Sequence, residues 1–118
     1  MPSIQQKYQQ LVEKLWTRTE ADDLSWSIDD WKDPFTMVGS RRVSLEYTED
    51  EQEKPFINVK IADREGTVIE RFHDEQLSGA PEVGSFSSYY LLMSALRDNA
   101  IRKANGVDQA IDEILSQL

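Results

Sequence analysis

The chain has 118 residues, of which 39% are apolar and 30% charged, and it contains no cysteine. That length carries a single domain, residues 1–118, with one modest core. The missing cysteines exclude disulfides, thiolate catalysis and cysteine metal sites. Acidic residues outnumber basic ones 22 to 13, for a net charge of -9; direct binding to nucleic-acid phosphates, which needs a basic surface, is not expected. The charge is read first as a solubility device and second as a surface for a basic protein partner.

No apolar run approaches the roughly 20 residues of a membrane helix. The opening MPSIQQKYQQ lacks the charged and then apolar regions of a secretory signal. A cytoplasmic protein without a membrane role is therefore expected.

Residues 3–18 form the first predicted helix. Ser3 and Gln6 have the spacing of a capping box, and Ile4, Tyr8, Leu11, Val12 and Leu15 make an apolar stripe with Trp16 at its edge. Trp16 is expected to shield the rim of the core, with a partner anchor as the alternative. Residues 24–28 alternate strictly, which predicts a half-buried strand with Leu24, Trp26 and Ile28 inward. Asp29, Asp30, Asp33 and Pro34 interrupt it. A short strand is expected at 35–38, a tight turn at Gly39-Ser40, and a longer strand at 41–48 with Val43, Leu45 and Tyr47 inward.

After the charged loop 49–53, residues 56–62 alternate with Ile57, Val59 and Ile61 inward. Asp63-Arg64-Glu65-Gly66 predicts a hairpin with Gly66 in the left-handed conformation. The register expected from it pairs Asp63 with Thr67, Ile61 with Ile69 and Lys60 with Glu70. Phe56, Val68 and Phe72 would then lie on the outer face, and a slip of one residue would invert the assignment. Residues 73–85 read as a flexible crossing broken by Gly79, Pro81 and Gly84.

The longest helical pattern spans 86–104. Phe86, Tyr89, Tyr90, Met93, Leu96, Ala100, Ile101 and Ala104 share a face, with Leu92 at its edge. Ser85 is the expected cap. Arg97 lies within that apolar face and must pair with a carboxylate or run its head out to water. Gly106 suits a left-handed stop. Asp108 is the expected cap of a short last helix, with Ile111, Ile114, Leu115 and Leu118 as its apolar set. Leu91 and Leu115 are expected to pack together within one chain; exposed, they would offer a dimer face, so monomer or weak homodimer is left open.

The predicted architecture is α+β. It is an antiparallel β-meander of four to five strands with an N-terminal helix, a long C-terminal helix and a short last helix packed on one face. Chemistry is sparse. The lone His73 has no nucleophile elbow beside it, and Asp29, Asp30 and Asp33 miss the spacing of a calcium loop. The stretch 79–84 lacks the Lys-Ser/Thr of a phosphate loop. No cofactor and no metal are expected, and the protein is expected not to be an enzyme.

Several short stretches carry a resemblance: Thr19 with Leu24-Ser25-Trp26, the hairpin 63–70, and the tail 96–100 running to Gly106-Val107-Asp108 and 111–115. This layout resembles that of small bacterial proteins of uncharacterised function, some from mobile or defence-related contexts. The resemblance implies a bacterial or phage origin, an α+β fold and a core role for Trp26, and it implies no catalytic residue. A looser similarity is to type III secretion chaperones, which are also small, acidic α+β proteins but interleave a helix among their strands.

The function expected is a non-enzymatic interaction or regulatory module that binds a protein partner, with Asp29, Asp30, Asp33, Glu49, Asp50, Glu51 and Glu53 as the acidic surface. In a meander, the loops 29–33 and 49–53 would gather on one edge. Two alternatives accompany it. One is a small-molecule sensor or minor enzyme with a pocket between helix and sheet, where Arg97, Tyr89 and Tyr90 are the candidates. The other is a secretion-chaperone-like or nucleic-acid-mimicking inhibitor.

Overall fold

The computed structural model describes residues 2–118. Its elements run α1 (Ile4–Glu20), β1 (Ser27–Ile28), β2 (Pro34–Val38), β3 (Arg41–Glu49), β4 (Pro55–Ala62), β5 (Val68–His73), a 3₁₀ turn (Asp74–Gln76), α2 (Tyr89–Ala104) and α3 (Val107–Gln117). The five strands form one antiparallel sheet in sequence order, the meander expected from short connections.

Helix α1 begins where its capping box closes. The Ser3 hydroxyl accepts from the Gln6 amide at 3.2 Å, and the Gln6 side chain accepts from the Ser3 amide at 2.8 Å. Its stripe buries Val12, Leu15 and Thr19. Helix α2 buries Tyr89, Leu92, Met93, Leu96 and Ala100. Both helices cover the sheet face that carries Val43, Leu45, Ile57, Val59 and Phe72, and these residues form one core. Trp26 is buried there too, and its indole N–H donates to the buried Thr19 hydroxyl at 3.1 Å. A buried tryptophan needs such a partner, so this bond ties the first strand region to the end of α1.

One register differs from the expected one. A bulge at Ile61/Ala62 pairs Ile61 with Glu70, Lys60 with Arg71 and Val59 with Phe72. The expected Asp63–Thr67 closure is present at 3.0 Å, but the extra residue turns every later side chain to the opposite face. Phe72 therefore points inward and is buried, while Val68 and Ile69 are exposed. The gain is visible in the contacts: Tyr8 stacks on Phe72 at 4.0 Å, and its hydroxyl donates to Glu70 at 2.9 Å. Burying an aromatic ring outweighs leaving two aliphatic residues at a sheet edge.

Smaller corrections follow from local geometry. Only Ser27–Ile28 of the 24–28 stretch pairs as strand. Tyr47 occupies a core-face position, opposite Ile57, yet lies far enough along the β3–β4 hairpin to be exposed. Helix α2 starts at Tyr89, because Ser88 rather than Ser85 caps it, accepting from the Leu91 amide at 3.2 Å. Gly106, at φ 64, ends α2 and also occupies the cap position of α3, so Asp108 falls in the first turn. Leu91 and Leu115 are both exposed rather than buried against each other.

Residues 77–88 are a packed crossing rather than a flexible one. Leu77 and Pro81 are buried, Phe86 meets Trp16 edge-on at 5.0 Å, and the Glu82 amide donates to Glu13 at 2.8 Å. Trp16 thus shields the core rim through Phe86.

Three hairpin loops share one design that spacing alone did not reveal. Asp29, Asp50 and Asp63 each head a turn. Each carboxylate accepts from the amides two and four residues on, at 2.8–3.0 Å. The backbone closes with Asp29–Asp33, Asp50–Lys54 and Asp63–Thr67 bonds. The fourth residue of each loop has positive φ: Lys32 at 68°, Glu53 at 62° and Gly66 at 90°. These are three-residue hairpins with a left-handed closing position.

Candidate functional site

The shared turn design decides which acids remain for a partner. Asp29 and Asp50 spend one carboxylate oxygen on their own backbone amides. Asp33 accepts from the Arg97 guanidinium at 2.9 Å, and Arg97 Nε donates to the Leu45 carbonyl at 3.2 Å. Arg97 is thereby a structural pair that closes the gap between α2, the β1–β2 loop and β3. Glu49 accepts from the Tyr47 hydroxyl at 2.9 Å, which holds that phenol above its ordinary pKa. Of the seven acidic positions, Asp30, Glu51 and Glu53 are neither turn heads nor part of these pairs.

In the meander both acidic loops leave the sheet in the same direction, but from different heights. Asp29 and Asp30 line a cleft of about 260 Å³ with Trp31, Arg42, Lys60, Ala62 and Gly66. The pairing of Phe35 with Ser44 and of Ser44 with Lys60 brings the β1–β2 loop out beside the middle of β3 and β4, while Glu51 and Glu53 sit beyond the Pro55 end. Each cluster also has cations nearby: Arg42 and Lys60 beside the first, and Lys54, paired with Glu75, beside the second.

Trp31 is the residue the sequence reading missed. It stands 82% exposed at the crest of the Asp29 turn, and its own amide is one of the two held by the Asp29 carboxylate. Around it the outer sheet face is charged and organised. Arg42 stacks on the Phe35 ring at 3.6 Å, and Glu46 bridges Arg71 at 3.0 Å and Lys60 at 3.6 Å. The signal available in the sequence was the matching position of Asp29 and Asp63 before their loops, which marks Trp31 as a turn residue rather than a core residue.

The candidate pocket residues do not converge. Tyr89 is buried and lines a cleft of about 370 Å³ with Gln6, Gln9, Glu13, Ser78 and Glu82. Burial pushes its phenol up, with Glu13 and Glu82 adding to the effect. Tyr90 and Arg97 do not line that cleft. A larger cleft of about 630 Å³ lies between Leu24, Trp26 and the α2–α3 junction, with Arg102 and Lys103 on its wall; Lys103 is paired with Asp22 across it.

The fold is an α+β meander with its helices on one side and an exposed tryptophan loop on the other. No protein-family model, curated protein or solved structure matches the chain. Among the described residues, no helix is long and apolar enough to cross a membrane.

Proposed function

We propose that this protein is a non-enzymatic interaction module that binds a protein partner through the β1–β2 loop, with Trp31 as the anchor and Asp30 as a flanking charge. The observation that carries the reading is Trp31 itself, 82% exposed on a turn tied by the Asp29 carboxylate. A large aromatic presented on a preorganised loop loses little further freedom on binding, and tryptophan is enriched among residues that dominate interface energies. The neighbouring carboxylates would steer a basic surface toward it.

The alternatives draw less support. A pocket reading needs Arg97 free, and Arg97 is held by Asp33. Mimicry of nucleic-acid phosphates needs a continuous row of acids, and here each cluster has cations beside it, Arg42 and Lys60 at the first and Lys54 at the second.

Capture from a lysate of the source cells, with wild type, Trp31→Ala and Asp30→Lys as parallel baits, tests the proposal. Trp31→Ala should keep the wild-type melting temperature, because it uncovers little. It should lose a stoichiometric partner, and Asp30→Lys should weaken that partner most at low salt. Failure to recover a stoichiometric partner at low and high salt, or equal recovery by Trp31→Ala, would sink the proposal.

A further inference from the structure

The last helix leaves its apolar face uncovered. At 100° per residue Val107, Ala110, Ile111, Ile114, Leu115 and Leu118 fall within an arc of roughly 140°. Val107 is half-buried, and residues 108–118 are all exposed; Leu115 stands at 63%. The principal contact of α3 is with α2. An isolated helix shorter than about 12–15 residues is marginal in water, so an 11-residue helix without tertiary cover needs a second surface to stay folded.

The charges beside that stripe say what the surface is. Asp108 and Asp112 lie on one shoulder and Glu113 on the other, and residues 107–118 contain no Lys, Arg or His. A second copy would set these carboxylates against their equivalents, on a chain already at net charge -9. An anionic lipid surface favours helices rich in Lys and Arg, the reverse of this one. Carboxylate shoulders on an apolar stripe fit an apolar seam flanked by cations, as flanking charges select partners in helix pairs.

We infer that α3 docks against a basic amphipathic helix of a partner protein. This surface rests on α3 alone and stands or falls separately from the Trp31 loop.

The test titrates the full chain with a labelled synthetic peptide of about three heptads, Leu at the seam and Lys at the flanks. The same peptide with Glu at the flanks is the control. Wild type should bind the Lys peptide and not the Glu peptide, with affinity falling as salt rises. The double variant Ile114→Ser/Leu118→Ser keeps every charge and should weaken binding at least about tenfold. Asp112→Lys/Glu113→Lys should reverse the preference between the peptides, and Trp31→Ala should change nothing. Circular dichroism confirms that each variant keeps its fold. Equal binding by Ile114→Ser/Leu118→Ser would overturn the inference, because attraction to the acidic chain at large would then explain it. So would equal binding of the two peptides, no binding at all, or a wild-type dimer in sedimentation that this variant abolishes.

Discussion

At the scale of single residues, the informative positions are those where the chain commits a polar or strained group to the interior. Arg97 is the clearest. Its guanidinium satisfies both Asp33 and the Leu45 carbonyl, and both partners of the ion pair are largely shielded from water. Arg97→Met keeps the stem but strands a carboxylate and a carbonyl; a loss of about 2 kcal/mol is expected. Urea denaturation of the single variants and of Arg97→Met/Asp33→Asn checks it. The double variant should recover part of the loss, whereas additive losses would mean that the pair is not coupled. Gly84 is the second such position. It has φ 73, and a Cβ there would lie 2.4 Å from the Phe86 ring and 3.0 Å from Trp16 Nε1. Gly84→Ala should cost about 2 kcal/mol in the same assay, while Gly79→Ala, with open space around it, should cost less. Neither residue could be weighed from sequence. Arg97 declared only that it needed a partner, and Gly84 looked like one breaker among three.

At the scale of elements, the helices and most strands were legible because each is amphipathic with one period. The stripes of α1 and α2, the inward set of β3 and β4, and the capping box at Ser3 all follow from spacing. What was hidden depends on choices between near-equivalent local states. The bulge at Ile61/Ala62 is one, since either register gives β5 an apolar residue facing in; the stacking of Phe72 under Tyr8, 64 positions away, selects between them. The Asp-headed turns are another. Gly66 announces the third, but Lys32 and Glu53 hold the same left-handed place with side chains that favour other conformations. That strain is removable: Lys32→Gly and Glu53→Gly should each stabilise the protein by up to about 1 kcal/mol. Thermal melts would show it as a rise, and a fall would mean that the longer side chain makes compensating contacts. The candidate surface was half legible for the same reason. Acids were visible as acids, but only the folded turns reveal that Asp29 and Asp50 are internal acceptors and that Trp31 is the residue on display.

At the scale of the whole molecule, one response integrates several sites. Tyr8 is held above its ordinary pKa by its hydrogen bond to Glu70, and Tyr89 by burial. A phenol whose folded pKa is raised adds stability that is intact below the unfolded value of about 10. That stability is lost as pH rises from there through the folded value, because the unfolded chain gives up its proton first. Unfolding free energy should therefore fall above about pH 10, and Tyr89→Phe should make that fall shallower. An unchanged slope in Tyr89→Phe would show that its phenol titrates alike in both states.

The Asp-headed turns also bear on the order in which the molecule assembles. Each lets a hairpin close on itself, using residues at most four apart, and a sheet whose strands follow chain order can zip without long loops. By contrast, apart from the local Trp26–Thr19 bond, α1 is fastened mainly by distant contacts, among them Tyr8 to Glu70, Gln9 to the Ser78 carbonyl and Glu13 to the Glu82 amide. In kinetic terms, the meander is expected to be the nucleus and the N-terminal helix the latecomer. Asp50→Ala and Asp63→Ala should then mainly slow refolding, and Tyr8→Phe should mainly speed unfolding; the opposite pattern in stopped-flow chevrons would put the helix first.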